Sequence, residues 1–117
     1  MPTKKQAIAA LILCQYITNN YQKVRLFRFD PDRKLTYIIT GSKGNIEAIV
    51  YPDGSWKYDD EGGTLQELRD AILARRDDRQ AWEDYASYPR DRSYFVSADT
   101  PTSEQEGIIK GLFLKNS

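Results

Sequence analysis

Histidine is absent from this sequence of 117 residues, and cysteine and methionine occur only once each. Without histidine the chain cannot form a Ser-His-Asp triad, a Cys-His dyad or a Cys/His zinc site. The lone Cys14 cannot close a disulfide within the chain, and its apolar surroundings fit a reducing compartment. We therefore expect a protein that is not an enzyme and that uses no cofactor.

Long apolar runs are absent as well. The longest apolar stretch covers residues 7–14, far short of the roughly 20 residues that a membrane-spanning helix needs. No small-residue cleavage site of the kind that ends a secretory signal follows this stretch. The sequence therefore predicts a cytoplasmic protein with no membrane partner.

Neither sign of charge dominates, because 17 basic side chains balance 17 acidic ones. Residues 1–58 hold nine Lys and Arg against four Asp and Glu, whereas residues 59–117 hold eight against thirteen. This division fits either a basic face for an anionic partner or two halves that dock on each other. Docking, or a plain scatter of charges, is favoured, because a dedicated nucleic-acid-binding domain is usually basic overall.

The pattern of apolar and turn-forming residues predicts an α+β fold. We expect an N-terminal helix over residues 3–23 and strands at 24–29, 35–40, 45–51 and 55–58, which short turns connect into a four-stranded antiparallel meander. Two C-terminal helices follow, over residues 64–87 and from residue 103 onward, and residues 94–96 offer a further short strand. The three helix starts have capping-box spacing, at Thr3/Gln6, Thr64/Glu67 and Ser103/Glu106.

This order of elements predicts a single domain over residues 1–117, with a helix plus sheet in 1–61, a helical extension in 62–117, and helices on one sheet face. The turn Pro52-Asp53-Gly54 predicts the register of the last two strands. A three-residue loop with Gly54 in the left-handed conformation pairs Val50 with Trp56. The resulting sheet face is wholly apolar, with Ile46, Ala48, Val50, Trp56 and Tyr58.

Carboxylates are the only side chains in this sequence suited to a hard metal ion. Asp30 and Asp32 flank a proline, and Asp59, Asp60 and Glu61 form an acidic run. Aspartate is also favoured in turns, and acidic runs are usually solvated. We favour the interpretation that these carboxylates form turns or are solvated, and we expect no metal site.

The second predicted helix has the most unusual pattern in the sequence. Its apolar stripe, which includes Trp82, passes through Arg75 and Arg79 at helical spacing. The helix could bend near residues 77–78, or the arginine stems could lie on apolar surface with their heads in water. Alternatively, the helix projects from the body and presents Arg75, Arg79, Trp82 and Tyr85 to a protein partner, since these residue types are enriched at binding hot spots.

A second candidate site lies in the first strand and the turn that follows it. Arg25, Arg28, Arg33 and Lys34 are close in sequence and could contact the phosphates of RNA or DNA. Together with the nearby Tyr37, these basic side chains could form the active site of a small metal-independent ribonuclease. In an extended strand, however, Arg25 and Arg28 point to opposite faces, which weakens a common basic patch.

A series of short motifs marks the first half of the chain. They are Met1-Pro2-Thr3 with Gln6, Cys14-Gln15, residues 19–21, residues 26–30, Tyr37-Ile38 with Gly41, and residues 49–54 with Trp56. On these motifs, residues 1–60 resemble a family of short, uncharacterised proteins common in cyanobacterial genomes. The family has no known activity, so no functional residue carries over, and the resemblance implies a cytoplasmic origin. The segment from Gly62 onward departs from the family.

We expect the protein to act as a small non-catalytic protein-binding module, such as an accessory subunit, an antitoxin or an immunity protein. Eight tyrosines favour this role, because tyrosine offers a rigid contact surface with a polar tip. One alternative is an RNA- or DNA-binding protein, or a small ribonuclease, that uses the basic strand surface. The other is a homo-oligomeric structural protein whose uncovered sheet face self-associates.

Overall fold

The first helix, α1, spans Lys4–Asn19 in the computed structural model, which describes residues 1–116. Its start confirms the predicted capping box. Thr3 Oγ1 accepts a hydrogen bond from the Gln6 N–H at 3.0 Å, and Gln6 Oε1 accepts one from the Thr3 N–H at 3.2 Å. These bonds satisfy two backbone donors that a helix start otherwise leaves open. The apolar residues that α1 buries against the sheet are Ala10, Leu13 and Ile17.

Five antiparallel strands, arranged in sequence order, form the sheet. They are β1 (Val24–Asp30), β2 (Leu35–Thr40), β3 (Ile46–Val50), β4 (Trp56–Asp59) and β5 (Tyr94–Val96). The first four strands confirm the predicted meander. The fifth pairs with β4, with Val96 opposite Trp56. The prediction of a four-stranded sheet is therefore one strand short.

The turn between β3 and β4 confirms the register predicted from Pro52-Asp53-Gly54. Val50 lies opposite Trp56, and the Tyr51 N–H donates to the Ser55 carbonyl oxygen at 2.8 Å. Gly54 has φ +89°, a left-handed conformation that side-chain-bearing residues rarely adopt. The predicted apolar face therefore points into one core of the molecule.

Three helices follow β4, although the sequence analysis predicts two. α2 (Gly63–Ala74) and α3 (Arg79–Ser87) replace the single helix expected over residues 64–87. The backbone leaves the helical conformation at Arg75, where φ is −132° and ψ is 69°. Asp78 then caps a new helix, because its side chain accepts the Ala81 N–H at 3.0 Å. The sequence analysis offers a bend near residues 77–78 as one interpretation of this segment, and the helix break lies there.

Two of the three predicted capping boxes are wrong. α2 begins at Gly63, and α4 (Thr102–Lys115) begins after Pro101, in both cases without a side-chain cap. Gly63 has φ +64°, and Pro101 has φ −54°. Backbone conformation at these two residues, which glycine permits and proline restricts, sets both helix starts in place of a capping side chain.

Helices cover both faces of the sheet, which corrects the expectation of a single covered face. α1 and α4 pack on one face, around Val50 and Trp56. α2 and α3 pack on the other face, around Ile39 and Ile49. β3 is buried along its whole length because it lies between the two helical layers. Within residues 1–116, no helix is long and apolar enough to cross a membrane.

Candidate functional site

The predicted protein-binding residues divide between the core and the surface. The exposed fractions of Trp82 and Tyr85 are only 4% and 0%, and both rings contact Tyr37. Arg75 and Arg79 are exposed. The expectation that all four side chains share one exposed surface is therefore wrong. Because the break at residues 75–78 makes α3 a separate helix, its apolar side can pack on the sheet while the arginines stay in water.

The predicted nucleic-acid-binding residues do not form one continuous basic surface. Arg25 donates to the carbonyl oxygens of Gly41 and Ser42, both at 2.6 Å. Lys34 is exposed in the turn after β1, with φ +58°. The Arg28 guanidinium lies over the indole ring of Trp82. The four residues therefore have different local roles.

The structure instead brings Arg28 together with Arg79, which the sequence analysis assigns to a different candidate site. Both line a cleft of about 310 Å³ whose other walls are Arg76, Asp77 and Asp78. We call this site the arginine cleft. β1 supplies Arg28, the break between α2 and α3 supplies Arg76, Asp77 and Asp78, and Arg79 is the first residue of α3. The cleft exists because the helix break lies over the β1 edge of the sheet.

The guanidinium groups of the arginine cleft differ in how they are engaged. Arg76 Nη2 donates to the Arg25 carbonyl oxygen at 2.6 Å, which ties the helix break to β1. The Arg28 guanidinium carbon lies 4.0 Å from the centre of the Trp82 ring, a cation–π contact. Among residues 1–116, neither Arg28 nor Arg79 has a side-chain hydrogen bond or an ion pair. These two cations keep their donors available to a ligand.

Asp30 fixes the wall beside the cleft by joining the turn after β1 to α3. Its Oδ1 accepts the Asp32 and Arg33 N–H groups at 2.9 and 3.2 Å, and its Oδ2 accepts Arg33 Nη1 at 2.8 Å and Trp82 Nε1 at 3.2 Å. Arg33 also donates to Glu83 at 3.0 Å. Burial raises the pKa of Asp30, but the hydrogen bonds from Arg33 and Trp82 outweigh it and hold that pKa below its usual value. This carboxylate is engaged in structure.

A second charged group, the buried charge cluster, consists of Glu47, Asp59, Arg69 and Arg90. Arg69 Nη1 lies 3.4 Å from Glu47 Oε2 and 3.3 Å from Asp59 Oδ1, and Arg90 Nη2 lies 2.9 Å from Glu47 Oε1. The exposed fraction of each of these side chains is 4% or less. The ion pairs of this cluster join the sheet to α2 and α3. Because solvent does not reach the cluster, it is not accessible to a substrate.

Several of these residues were missed by sequence reasoning. Arg69 follows Leu65 at helical spacing and precedes Ile72 on the same side of α2, a signal equal to that of Arg75 and Arg79. Glu47 alternates with apolar residues in β3, which is typical of a solvent-facing position. Arg76 has no local signal, because its place in the cleft depends on where the helix breaks.

No metal site emerges from the part of the chain that the structure describes. Across residues 1–116, no three or more aspartate, glutamate or cysteine side chains are placed to hold a metal ion. Asp30 and Asp59, which the sequence analysis considers as metal ligands, lie in separate ion-pair networks. Each of these carboxylates pairs with an arginine side chain, Asp30 with Arg33 and Asp59 with Arg69.

Comparison with known proteins covers the amino-terminal part of the chain. Residues 1–57 match the family model described as "Domain of unknown function (DUF6888)". The match confirms that this part resembles a family of unknown function, and it includes α1, β1, β2, β3 and the start of β4. No curated protein and no solved structure matches the chain. The arginine cleft combines Arg28 from the matched part with residues 76–79 from outside it.

Proposed function

We propose that this chain is a small non-catalytic protein-binding module, of the accessory-subunit, antitoxin or immunity type, and that the arginine cleft is its contact site. The observation that carries the proposal is the state of Arg28 and Arg79. Both line the cleft, and neither has an ion pair or a side-chain hydrogen bond within residues 1–116. The family resemblance adds a cyanobacterial origin and a cytoplasmic location to this proposal.

Arginine is well suited to such a role. Its planar guanidinium keeps its charge at all physiological pH values and is enriched at protein–protein hot spots. Stacking on Trp82 holds Arg28 in place before a partner arrives, which lowers the entropy lost on binding. The contact between Arg33 and Glu83 braces the same wall at 3.0 Å. A fixed cation costs less to order than a free surface lysine.

Nucleic acid is the competing ligand, and two features disfavour it. Asp77 and Asp78 stand in the same cleft as the arginines, and Asp30, Asp32 and Glu83 line an adjoining cleft that shares Arg28 and Arg79. A polyanionic backbone gains affinity from a row of cations, and interleaved carboxylates repel it. A protein surface, which carries both signs of charge, tolerates this mixture.

The experiment is an affinity capture with the tagged full-length chain in its native lysate, before and after nuclease treatment. Three forms are compared: the wild type, Arg79→Ala and Lys110→Ala. Lys110 is a matched control, because it is an exposed cation on α4, in the opposite helical layer. We expect one stoichiometric protein that survives nuclease, binds the wild type and Lys110→Ala equally, and is lost with Arg79→Ala.

Three other results would contradict the proposal. Recovery of RNA, or of proteins that nuclease releases, would favour the nucleic-acid alternative. Recovery of only further copies of this chain would favour the homo-oligomeric alternative, which light scattering over a concentration series checks. A partner that Arg79→Ala binds as well as the wild type does would remove the arginine cleft as the contact site.

A further inference from the structure

We infer that the arginine cleft binds a carboxylate of its protein partner, presented by a single aspartate or glutamate side chain. This inference rests on the proposed function and adds the chemistry of the group that is recognised. It concerns the same two cations, Arg28 and Arg79, which both line the cleft and are available for a ligand, one from β1 and one from the start of α3.

The first argument is geometric. A guanidinium presents its N–H donors along the edge of a plane, and this edge matches the two oxygens of a carboxylate. The Arg28 guanidinium carbon lies over the Trp82 ring, 4.0 Å from its centre, and within residues 1–116 no hydrogen bond or ion pair engages the Arg28 N–H groups, so they are available to a carboxylate. Arg79 approaches the same space from the first residue of α3.

The second argument concerns the charge of the cleft. Three arginines and two aspartates line it, which leaves a formal excess of one positive charge. One carboxylate neutralises this excess. A phosphate dianion, or two or more phosphates of a nucleic-acid backbone, would leave net negative charge beside Asp77 and Asp78. Charge complementarity therefore favours a single monoanion.

The third argument is that the cleft's own aspartates do not compete for the two free arginines. Asp78 Oδ1 accepts the Ala81 N–H at 3.0 Å, and its Oδ2 faces Arg75 at 3.8 Å. In residues 1–116 neither aspartate of the cleft pairs with Arg28 or Arg79. Asp78 thus caps α3, and Arg28 and Arg79 keep their donors.

Trp82 provides a spectroscopic readout of this site. Its ring contacts Arg28, whereas the second tryptophan, Trp56, lies in the other core beneath α1 and α4. A ligand that hydrogen-bonds to Arg28 changes the electric field at the Trp82 ring. The fluorescence of Trp56 then stays a constant background. Binding should therefore alter the intrinsic fluorescence of the folded chain.

The test titrates the full-length chain with four probes and follows tryptophan fluorescence. The probes are a capped glycine-rich peptide with one glutamate, the same peptide with glutamine in its place, the same peptide with phosphoserine in its place, and a single-stranded RNA. We expect saturable binding of the glutamate peptide and none of the glutamine peptide. Arg79→Ala should weaken the binding of the glutamate peptide by about tenfold or more. Lys110→Ala should leave the affinity for this peptide unchanged.

The inference is overturned if phosphoserine peptide or RNA binds more tightly than the glutamate peptide, if Arg79→Ala binds the glutamate peptide as the wild type does, or if no probe gives saturable binding. These outcomes are distinct from failure of the proposed function. A lysate partner that depends on Arg79, together with no binding of the glutamate peptide, would refute only the carboxylate chemistry. If the wild type captures no protein partner from the lysate, the proposal of a protein-binding module is itself refuted.

Discussion

Asp59 and Glu47 lie opposite each other on neighbouring strands, and both are cut off from solvent. Burial raises the pKa of Asp59 to about 7, and the charge of Glu47 adds to the effect, while Arg69 and Arg90 oppose it. Arg90 binds Glu47 at the shorter distance, 2.9 Å. Asp59 therefore changes charge near neutral pH.

This raised pKa predicts a pH-dependent stability. Between the ordinary value of 3.8 and about 7, the folded chain binds a proton at Asp59 that the unfolded chain does not. The contribution of Asp59 to stability is therefore complete below pH 3.8 and is lost as pH rises through about 7. The substitution Asp59→Asn removes this pH-dependent contribution to the free energy of unfolding. The difference in unfolding free energy, wild type minus variant, should fall with rising pH by up to about 1.4 kcal/mol per pH unit and level off above neutrality.

The measurement is urea unfolding of both proteins across this range of pH. Asp60→Asn serves as the neighbouring control. Burial raises the pKa of Asp60, but Asn116 and Lys115 outweigh it, so the pKa is below its usual value and Asp60 stays charged through the same window. We expect Asp60→Asn to follow the wild-type slope. Parallel curves for Asp59→Asn and the wild type would show that Asp59 does not titrate in this window.

At the scale of elements, Gln6 joins α1 to the sheet. Its Nε2 donates to the Lys34 carbonyl oxygen at 3.0 Å and to the Val50 carbonyl oxygen at 2.8 Å, while its Oε1 accepts the Thr3 N–H at 3.2 Å. The exposed fraction of Gln6 is 1%. One amide therefore caps the helix and also orients it on β3 and on the turn after β1.

Gln6→Leu should destabilise the fold by about 2–4 kcal/mol, because it leaves three backbone groups without their partner, at least one of them buried. Gln15→Leu is the matched control, since Gln15 lies on the exposed side of the same helix. We expect it to change stability by less than about 0.5 kcal/mol. Chemical denaturation measures both changes. Equal effects of the two substitutions would assign the cost to the helix and not to the cross-links from Gln6.

Apart from the two capping boxes at α2 and α4, the predictions from sequence succeed where the signal is local. The Thr3/Gln6 box and the Pro52-Asp53-Gly54 turn depend on residues within a few positions of one another, and the structure confirms both. They fail where the deciding contact is distant in sequence. Glu47 alternates like a surface residue, but α2 and α3 cover it and Arg90, far along the chain, pairs with it. The arginine cleft likewise needs β1 beside the helix break, so only Arg28 and Arg79 were singled out, in separate candidate sites.

At the scale of the whole molecule, residues 62–116 cover both faces of the sheet. α4 joins α1 on one face, and α2 and α3 alone cover the other, where they bury Tyr37, Ile39 and Ile49. The exposed fraction of each of these three side chains is 2% or less. The segment predicted as an extension therefore supplies the whole second helical layer and half of the first.

A fragment of residues 1–61 should consequently fail to fold as a stable monomer. It would expose the Tyr37, Ile39 and Ile49 face to water, lose the α4 contacts on the other face, and leave Glu47 and Asp59 without Arg69 and Arg90. Uncovered apolar sheet of this kind self-associates, and removing the partners of buried charges costs about 3–5 kcal/mol. Circular dichroism and light scattering of the fragment, with the full-length chain as reference, measure both effects. The full-length chain should unfold in one cooperative transition, and a monomeric fragment that unfolds cooperatively would instead make residues 1–61 an independent domain.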